Sequence, residues 1–501
     1  MKKLLCTVLA LILVLTLVSG CSNQAAQVGT SSPEPASTAD ASNGKIGAPD
    51  APVTVKYICM DVNPEDDSIP EMVTEIEKKM AEQGNYVKLE VLDQPGSDHY
   101  SVALPLAFKT GQINPDIVYF QGGDEACSAE GLLEDLTPYI EGSTYVKSLL
   151  EGHSSARVAN YPYLLWLAPP KTNVPVIRTD LLNKLDSAKA LLENPTPENY
   201  KALMQEAKDK GITKYGITND GKLLRMDSIF NHAFGITTTL VQKDGKWVYT
   251  KATEAEKNKI AYYAELYAAG LLDPEYITKK WDTMEKAFYE GDALLIAGGA
   301  GDVINIYDNK QMQTNGEGAA LTVLPPAKGI SQDYLSVDVT KETRGFGIST
   351  SSKVKDAAFA VLEFMASPEG RMIDKLGVEG IHYKVVDGKV VFTDKFTEWW
   401  SRFWNTTYKF EPTIPLEKPC YTTAALDSLE KCSEYYFPDV NALIPEDLTP
   451  QWDAMNALYN EYTADIITGK KPISAFDEFV IKWNAAGGDE FSEYFGTIDI
   501  K

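Results

Sequence analysis

The chain begins with one apolar run and then changes to alternating patterns. Residues 4–18 are almost uniformly apolar and follow two lysines. A run of about 15 apolar residues is too short to predict a bilayer span, which needs roughly 20. A short positive segment, a short apolar core and small residues together indicate an export signal. No second apolar run of 18 residues follows, so the sequence predicts no other membrane span.

The end of this run is more specific than an ordinary cleavage site. Ser19 and Gly20 are small, and Cys21 follows them directly. This arrangement resembles the bacterial lipoprotein signal, in which the cysteine is acylated and becomes the new N-terminus. We therefore expect 1–21 to be a lipoprotein signal peptide and Cys21 to be a lipid anchor. The rest would be extracytoplasmic and anchored to the cell membrane; the alternative is a plain signal peptide with a chance cysteine.

Residues 22–52 are rich in small and polar residues, with almost no large apolar side chain. Such a segment cannot bury enough apolar surface to fold. As a flexible coil, about 30 residues span about 30 Å. The composition therefore predicts a tether between the lipid and a folded body.

From residue 53 onwards the pattern alternates between strand and helix. Residues 53–59 and 86–92 alternate apolar and polar positions, which predicts strands. Apolar residues at 69–80 recur at helical spacing. A further apolar segment at 102–110 and a strand at 115–120 complete the order strand, helix, strand, helix, strand. This order predicts a parallel α/β lobe.

Strand and helix patterns continue along the rest of the chain, which ends in helices. The last 55 or so residues carry apolar stripes at helical spacing. A Thr-Pro pair predicts a helix start at 196–198, and a Ser474 capping box predicts another. Further predicted elements are the helices at 257–269 and 355–365 and the strands at 161–166, 174–177, 215–218, 293–297, 320–325 and 345–349.

Composition excludes several partners. The formal net charge of the 501 residues is −24. Nucleic-acid binding depends on Lys and Arg contacts to phosphate, so this charge argues against it. It also argues against docking on anionic lipid head groups, so the membrane is expected as a partner only through the N-terminal lipid.

Cysteine and histidine usage gives no metal or cofactor signal. The four histidines are scattered, without the spacing of a metal motif, and we expect no metal and no cofactor. Four cysteines remain after the signal, and they allow three pairings. We favour a disulfide between Cys420 and Cys432, which would close a short loop. The remaining two are Cys59 and Cys127.

Ligands of parallel sheets bind beyond the carboxyl ends of the strands. This rule points to Asp61 after the first strand and to Tyr119 and Gln121 at the end of the third. The stretch 397–404 contains three tryptophans, and at helical spacing they present two faces, of which one core could bury only one.

Several segments, in this order and spacing, resemble bacterial extracellular solute-binding proteins that serve ABC importers. The resemblance covers most of 50–501 and is nearest to the large lipoprotein branch associated with oligosaccharides. The segments are PDIV at 115–118, LLEDLTP at 132–138, VIRTDLL at 176–182, YYAELYAAGLLDP at 262–274, LTVLPP at 321–326, GVEGIHY at 377–383, and the stretch 465–488.

The resemblance implies a two-lobe α/β fold of the type II periplasmic-binding-protein kind, with a helical C-terminus. The ligand would lie in a cleft between the lobes. Analogy with maltose-binding relatives gives three chain crossings, near 169–172, just before 293 and near 331–344. The implied lobes are an N-lobe of 53–170 plus 293–330 and a C-lobe of 171–292 plus 331–501.

Two stretches depart from the pattern of relatives. Some alginate-binding relatives carry a calcium loop where this chain has one carboxylate and two lysines, at 209–214. Calcium requires several oxygen ligands, so we expect none there. Maltose-type relatives have aromatic residues where this chain has the glycine-rich bend 298–302.

Sugars present apolar faces ringed by hydroxyls, so aromatic, carboxylate, amide and arginine side chains are the candidates for binding them. For each candidate, ordinary packing, a tight turn or a paired charge is the alternative. The candidates are Asp61, Tyr119, Gln121, Trp166, Arg225, Asp227, Asp302, Arg344, Trp400 and Trp404.

The function that these patterns favour is a lipid-anchored substrate-binding subunit of an ABC importer. It would capture a carbohydrate, most simply an oligosaccharide, by cleft closure and deliver it to the permease transmembrane subunits. We expect no enzymatic activity. The alternatives are a secreted glycoside hydrolase, which needs two carboxylates about 5–10 Å apart, and a sugar-binding surface sensor without a transporter. Peptides or modified sugars are alternative ligands.

Overall fold

The computed structural model describes residues 45–500, except 67, 96–99, 151–160, 167–171, 335–343, 400, 404–409, 438, 441, 443 and 499. The expected signal peptide, Cys21 and most of the tether lie outside the described residues, as do Trp400 and Trp404. In this part of the chain, no helix combines the length and the apolar character that a membrane crossing requires.

Strands and helices alternate along the chain, as the sequence pattern predicted. The strands are β1 Val53–Ile58, β2 Val87–Val91, β3 Ile117–Gln121, β4 Leu165–Trp166, β5 Asn173–Arg178, β6 Tyr215–Ile217, β7 Leu240–Lys243, β8 Lys246–Tyr249, β9 Ala293–Gly299, β10 Leu321–Val323, β11 Arg344–Ile348, β12 Tyr383–Val386 and β13 Lys389–Phe392.

The helices are distributed between and after these strands. They are α1 Ile69–Glu82, α2 Tyr100–Lys109, α3 Asp124–Ala129, α4 Thr137–Gly142, α5 Tyr145–Leu150, α6 Thr179–Leu182, α7 Ala188–Glu193, α8 Pro197–Asp209, α9 Leu224–Phe230, α10 Glu254–Ala268, α11 Trp281–Tyr289, α12 Asp302–Asn315, α13 Lys355–Ala366, α14 Pro368–Leu376, α15 Thr423–Glu434, α16 Thr449–Ile467, α17 Ala475–Trp483 and α18 Asp489–Phe495.

The first lobe is built on a five-stranded sheet of order β2-β1-β3-β11-β4. β1 runs parallel to β2 and β3, whereas β11 runs antiparallel to β3 and β4. Helices α1, α2 and α13 pack against the strands. α1 turns Ile69, Met72, Ile76 and Met80 into the core, because residues three and four apart share one helix face.

The second lobe is built on a four-stranded sheet of order β10-β5-β9-β6. β9 lies between β5, which is antiparallel to it, and β6, which is parallel. The C-terminal helices α16 to α18 contribute Trp452, Tyr459, Phe479, Trp483 and Phe491 to the core of this lobe. Two sheets with separate cores and a helical C-terminus confirm the predicted two-lobe α/β fold.

The strand pairing contradicts part of the expected lobe boundaries. The range 293–330 does not return to the first lobe, because β9 pairs with β5 and β10 also pairs with β5. Conversely, β11 pairs with β3 in the first sheet. A short apolar strand shows in the sequence that it is buried, but its pattern does not show which strands lie beside it.

The chain passes between the lobes at three places. The first passage lies between β4 and β5, where one was expected, and the second between β10 and β11. The expected passage just before 293 is wrong, because β6 and β9 share one sheet. The third was not predicted: Phe403 packs in the first-lobe core, and Ala424 packs in the second lobe beside β9 and β10.

Helix starts follow the capping signals at one predicted position and not at the other. At α8 the Thr196 hydroxyl accepts a hydrogen bond from the Asn199 backbone N–H, and Pro197 occupies the first turn, as predicted. At α17 the Ser474 side chain makes no capping hydrogen bond, so the predicted capping box does not form.

The favoured disulfide is absent. All four cysteines of the described residues are free thiols. Cys432 packs in the second-lobe core, whereas Cys420 packs against a separate cluster beside the β12–β13 hairpin. Short sequence separation therefore did not bring the two thiols together, and this prediction is wrong.

A buried ion-pair network joins α9, α10 and α16. Lys259 is 1% exposed, and its Nζ lies 2.8 Å from Asp227 Oδ1 and 3.0 Å from Glu256 Oε2. It also donates to Asn231 Oδ1, and the Tyr459 hydroxyl donates to Glu256 at 2.5 Å. Burial raises the pKa of Glu256, while the charge of Lys259 opposes that shift. Lys259 is thus the cation shared by two carboxylates.

We predict that Lys259→Met strongly destabilises the second lobe. The substitution leaves two partly or fully buried carboxylates without their cation, which typically costs roughly 3–5 kcal/mol. Urea unfolding followed by tryptophan fluorescence measures the loss. The control is Lys189→Met on α7, whose side chain is 82% exposed and whose expected effect is within about 0.5 kcal/mol. Equal stability of the two variants would contradict the prediction.

Candidate functional site

One edge of the first sheet collects five of the predicted residues. β1 and β3 are parallel, so both end at this edge, and β11 is antiparallel, so it begins there. Asp61 follows β1, Gln121 ends β3, and Arg344 lies directly opposite Gln121 in the register. β4 ends at the same edge with Trp166, whose backbone pairs with Gly345. Tyr119 is the fifth, two residues before Gln121.

Aromatic rings cover the face of the sheet beside this edge. Tyr119 and Phe346 lie opposite each other in the register, and their ring centroids are 5.3 Å apart. Phe403 stacks on Tyr57 at 4.9 Å and lies 5.8 Å from Phe346. Residues opposite each other in an antiparallel pair project to the same face, so Gln121 and Arg344 lie on the face that these rings cover.

A small pocket of about 90 Å³ opens at this place. Its wall combines the end of β1, the end of β3 and the segment 401–403. Burial raises the pKa of Cys59 to about 12, so this thiol is protonated at neutral pH and is not a nucleophile. The lining residues are Cys59, Met60, Asp61, Tyr119, Ser401, Arg402 and Phe403.

Asp374 of α14 holds the segment 401–403 in position. Its Oδ1 accepts hydrogen bonds from the backbone N–H groups of Arg402 and Phe403, at 2.8 and 3.0 Å. The Arg402 carbonyl in turn accepts from the Tyr57 hydroxyl at 3.0 Å. The guanidinium of Arg402 donates to Ser68 Oγ at 2.8 Å. One side of the pocket is therefore fixed to the core rather than placed on a free loop.

Asp61 sits at the tip of a tight turn. Its φ of 56° is in the left-handed region, and Cys59 and Val62 form an isolated bridge on either side. Aspartate tolerates this conformation better than most residues. The turn leaves Asp61 exposed, where its carboxylate can accept hydrogen bonds from a ligand.

The second lobe presents a matching edge at the carboxyl end of β9. Arg225 Nη1 donates to the carbonyl of Ala297 at 2.6 Å, and its Nε lies 3.3 Å from Asp220 Oδ2. These contacts place the predicted residue Arg225 at the edge, where it is neutralised by one carboxylate.

Trp281, which sequence reasoning missed, also lies in this region. It is the first residue of α11, and its side chain is 50% exposed. Its indole N–H donates to the Tyr307 hydroxyl at 3.3 Å, which orients the ring while leaving it open to solvent. A tryptophan at a helix start just before a buried strand was the available signal.

A polar contact joins the two lobes through helices α14 and α12. Lys375 of α14 in the first lobe has its Nζ 3.7 Å from Asp302 Oδ1 at the start of α12 in the second. The Tyr421 hydroxyl donates to Asp302 at 2.5 Å and accepts from Lys375 at 3.1 Å. Asp302, predicted as a ligand residue, thus contributes to this contact.

One predicted residue lies away from both edges. Asp227 is engaged by Lys259 and accepts from the Tyr263 hydroxyl at 2.9 Å, so it is a paired structural charge. Trp400 and Trp404 lie outside the described residues. Their neighbour Trp399 is buried and donates to the Asp374 carbonyl.

A family model described as bacterial extracellular solute-binding protein matches residues 63–372. That range is more than half of the chain. The chain belongs to this family of bacterial extracellular solute-binding proteins. A curated relative in Niallia circulans, described as an uncharacterized protein in the butB 5′ region, is 23% identical over 251 residues, which are 47% of this chain and 95% of the relative.

Solved structures with the same fold include three sugar-binding proteins. An alginate-binding protein is 17% identical with a TM-score of 0.63, covering 88% of this chain and 96% of its own. An HMO-binding solute-binding protein of Bifidobacterium longum infantis is 14% identical with a TM-score of 0.63, covering 88% of this chain and 97% of its own. An N-glycan transport solute-binding protein of Streptococcus pneumoniae is 16% identical with a TM-score of 0.62, covering 88% of this chain and 96% of its own. At these identities the likeness establishes the fold.

This solute-binding protein also brings serine, histidine and aspartate together in the second lobe. His232 Nδ1 lies 3.0 Å from Ser331 Oγ and 3.5 Å from Asp333 Oδ2. Both partners contact the same ring nitrogen, whereas a catalytic triad needs them on opposite nitrogens. His232 Nε2 is buried without a hydrogen-bond partner among the described residues. The arrangement is not that of an activated nucleophile.

We predict that His232 makes stability depend on pH. Burial lowers its pKa to about 4, and this outweighs the nearby Asp333. The pKa of an unfolded histidine is about 6.5. Between about pH 6.5 and pH 4 the histidine is therefore protonated in the unfolded state and neutral in the folded state. Stability is therefore complete above about pH 6.5 and is lost as the pH falls towards 4, with a slope of at most about 1.4 kcal/mol per pH unit.

The measurement is urea unfolding at pH values from 4 to 7.5. We expect His232→Gln, which stays neutral, to show a shallower loss of stability between pH 6.5 and 4 than the unaltered protein. An unchanged slope would show that His232 does not control it.

Proposed function

We propose that this protein is the lipid-anchored binding subunit of an ABC importer and that it captures an oligosaccharide between the two edges. It would then deliver the sugar to the permease. Membership of the solute-binding family supports binding for import and an extracytoplasmic location. The named sugar specificities of the structural neighbours support a carbohydrate ligand.

The single observation that carries the proposal is that polar and aromatic groups collect at one edge of each sheet while the Lys375–Asp302 contact joins the two lobes. The first edge offers carboxylate, amide and guanidinium groups in Asp61, Gln121 and Arg344. The second offers the exposed ring of Trp281. Apolar platforms and a few directed polar groups are what a sugar site needs.

The three passages of chain between the lobes support closure around the ligand. A small number of connecting segments lets two rigid lobes rotate about a hinge. An ion pair between Lys375 of the first lobe and Asp302 of the second joins the two lobes. Such a contact can form or break as the lobes move, at modest cost because Asp302 is 47% exposed.

Isothermal titration calorimetry of residues 22–501 with a panel of mono- and oligosaccharides tests the proposal. We expect saturating heat with one site per chain and a flat baseline after saturation. Heat that continues after each injection would indicate turnover and would favour a glycoside hydrolase. If no sugar of the panel gives a heat of binding and peptides do, the carbohydrate assignment is contradicted.

We predict that Trp281→Ala weakens binding of the ligand found in this titration. Loss of an exposed aromatic platform at a binding site typically costs about 2 kcal/mol, or roughly thirtyfold in Kd. Trp281→Phe keeps a ring but loses the N–H hydrogen bond to Tyr307, so its Kd should lie between those of the unaltered protein and Trp281→Ala. The matched control is Tyr145→Ala on α5, another exposed aromatic, at 41%. Equal Kd values for all three variants would remove Trp281 from the site.

Lipid attachment has its own test in cells of the source bacterium. We expect the protein to incorporate labelled palmitate and to sediment with membranes. Cys21→Ser should abolish the label and release the protein from the membrane fraction, because no other described segment is suited to cross a membrane. Its glycan Kd should be unchanged. Membrane retention of the Cys21→Ser variant would contradict lipid anchoring through this cysteine.

A further inference from the structure

Arginine is scarce in this chain, and two of its arginines lie at the two edges. Six of the 47 basic residues are arginine; the others are lysine. Arg157 lies outside the described residues, and Arg178 pairs with Asp180 at 2.9 Å. Of the remaining four, Arg225 and Arg344 lie at the two edges and Arg402 lines the pocket. The fourth, Arg371, is buried on α14 beside Asp374.

Three of these four arginines have partners within the protein. Arg225 and Arg371 each have an aspartate oxygen 3.3 Å away. Arg402 donates to Ser68 and lies over the ring of Trp399, 4.8 Å from its centroid. The protein itself therefore accounts for these cations, and they do not call for a charged ligand.

Arg344 differs from them. Among the residues that the structure describes, it forms no ion pair, and its buried Nε has no hydrogen-bond partner. It is half-buried, at the first position of β11, and shares a face with Gln121 and Tyr119. A guanidinium remains charged at any physiological pH. A partly buried cation with an unused N–H donor is unfavourable unless an acceptor reaches it.

We propose that the ligand supplies this missing anion, so that the captured glycan is acidic and carries a carboxylate or sulfate group. This inference rests on the proposed carbohydrate-binding function. The Nε and one terminal nitrogen of a guanidinium form a planar fork that matches two oxygens of such a group. In Arg344 the unpartnered atom is Nε, which belongs to that side of the fork.

Three further carboxylates near the edges or the pocket are already paired with cations of the protein. Asp220, Asp302 and Asp374 each lie within 4.0 Å of a cation of the protein. Asp61 lines the pocket and would repel an anion while accepting hydrogen bonds from hydroxyls. Asp61 and Arg344 therefore orient the glycan, with its anionic group at β11 and hydroxyls at the turn after β1.

The test compares acidic glycans with neutral partners of the same skeleton, using calorimetry on the full mature chain. The pairs are trigalacturonic acid with its methyl ester, sialyllactose with lactose, and sulfated lactose with lactose. The first two pairs test a carboxylate and the third a sulfate. We expect at least one acidic member to bind about 30-fold more tightly than its neutral partner, as a charge-assisted hydrogen bond predicts.

Substitution of Arg344 identifies the residue responsible. Arg344→Gln should remove most of the acidic preference, measured as the ratio of the Kd values of the neutral and the acidic partner. Arg344→Lys keeps the positive charge but lacks the planar fork, so it should retain only part of the acidic preference. The control is Arg178→Gln, which removes an arginine at the end of β5 in the second lobe and should leave the preference unchanged. Circular dichroism and the unfolding midpoint verify that the variants are folded.

The outcomes separate this inference from the proposed function. Neutral glycans that bind as tightly as their acidic partners would overturn the inference and leave the carbohydrate function standing. An acidic preference that survives in folded Arg344→Gln would overturn the role of Arg344. If no glycan binds but peptides do, the proposed function fails, and the inference fails with it.

Discussion

Strand direction is the constraint on which the candidate site depends. β1 and β3 run in parallel and end at one edge, and β11 runs against β3 and begins there. The hydrogen-bonded register leaves no freedom: Arg344 must lie opposite Gln121, and Phe346 opposite Tyr119. A shift of one residue would turn every side chain of β11 to the other face. The same backbone pairing that stabilises the first lobe therefore also aligns the residues that we propose as ligand-binding groups.

A buried carboxylate extends this order beyond the sheet. Asp374 is 1% exposed, and it holds the segment that brings Phe403 onto Tyr57 and Phe346. The same helix, α14, carries Lys375 to the second lobe. Structural stability, the pocket wall and the contact between lobes thus share one helix. Charged groups in the core elsewhere, such as Lys259, serve packing of the second lobe alone.

Local sequence patterns predict the helices and strands and the first edge of the site. The order of the strands and the passages between the lobes depend on long-range pairing, which the local patterns do not show. Asp61, Tyr119 and Gln121 could be located because a strand end is visible in the sequence and parallel strands end together. The partners of β9 and the third passage between lobes could not, because an apolar strand does not encode its neighbours. Asp227 looked like a site residue only because its partner Lys259 is distant in sequence. The hairpins β7–β8 and β12–β13 do carry a local signal, because each turns on an Asp-Gly pair with positive φ.

The central claim is that the two lobes close around a glycan, and small-angle X-ray scattering tests it most directly. The radius of gyration of the mature chain would be measured alone, with the saturating glycan found by calorimetry, and with a sugar that does not bind. The account predicts a smaller radius with the bound glycan and no change with the other sugar. An unchanged radius at saturation would contradict capture by closure between the two edges.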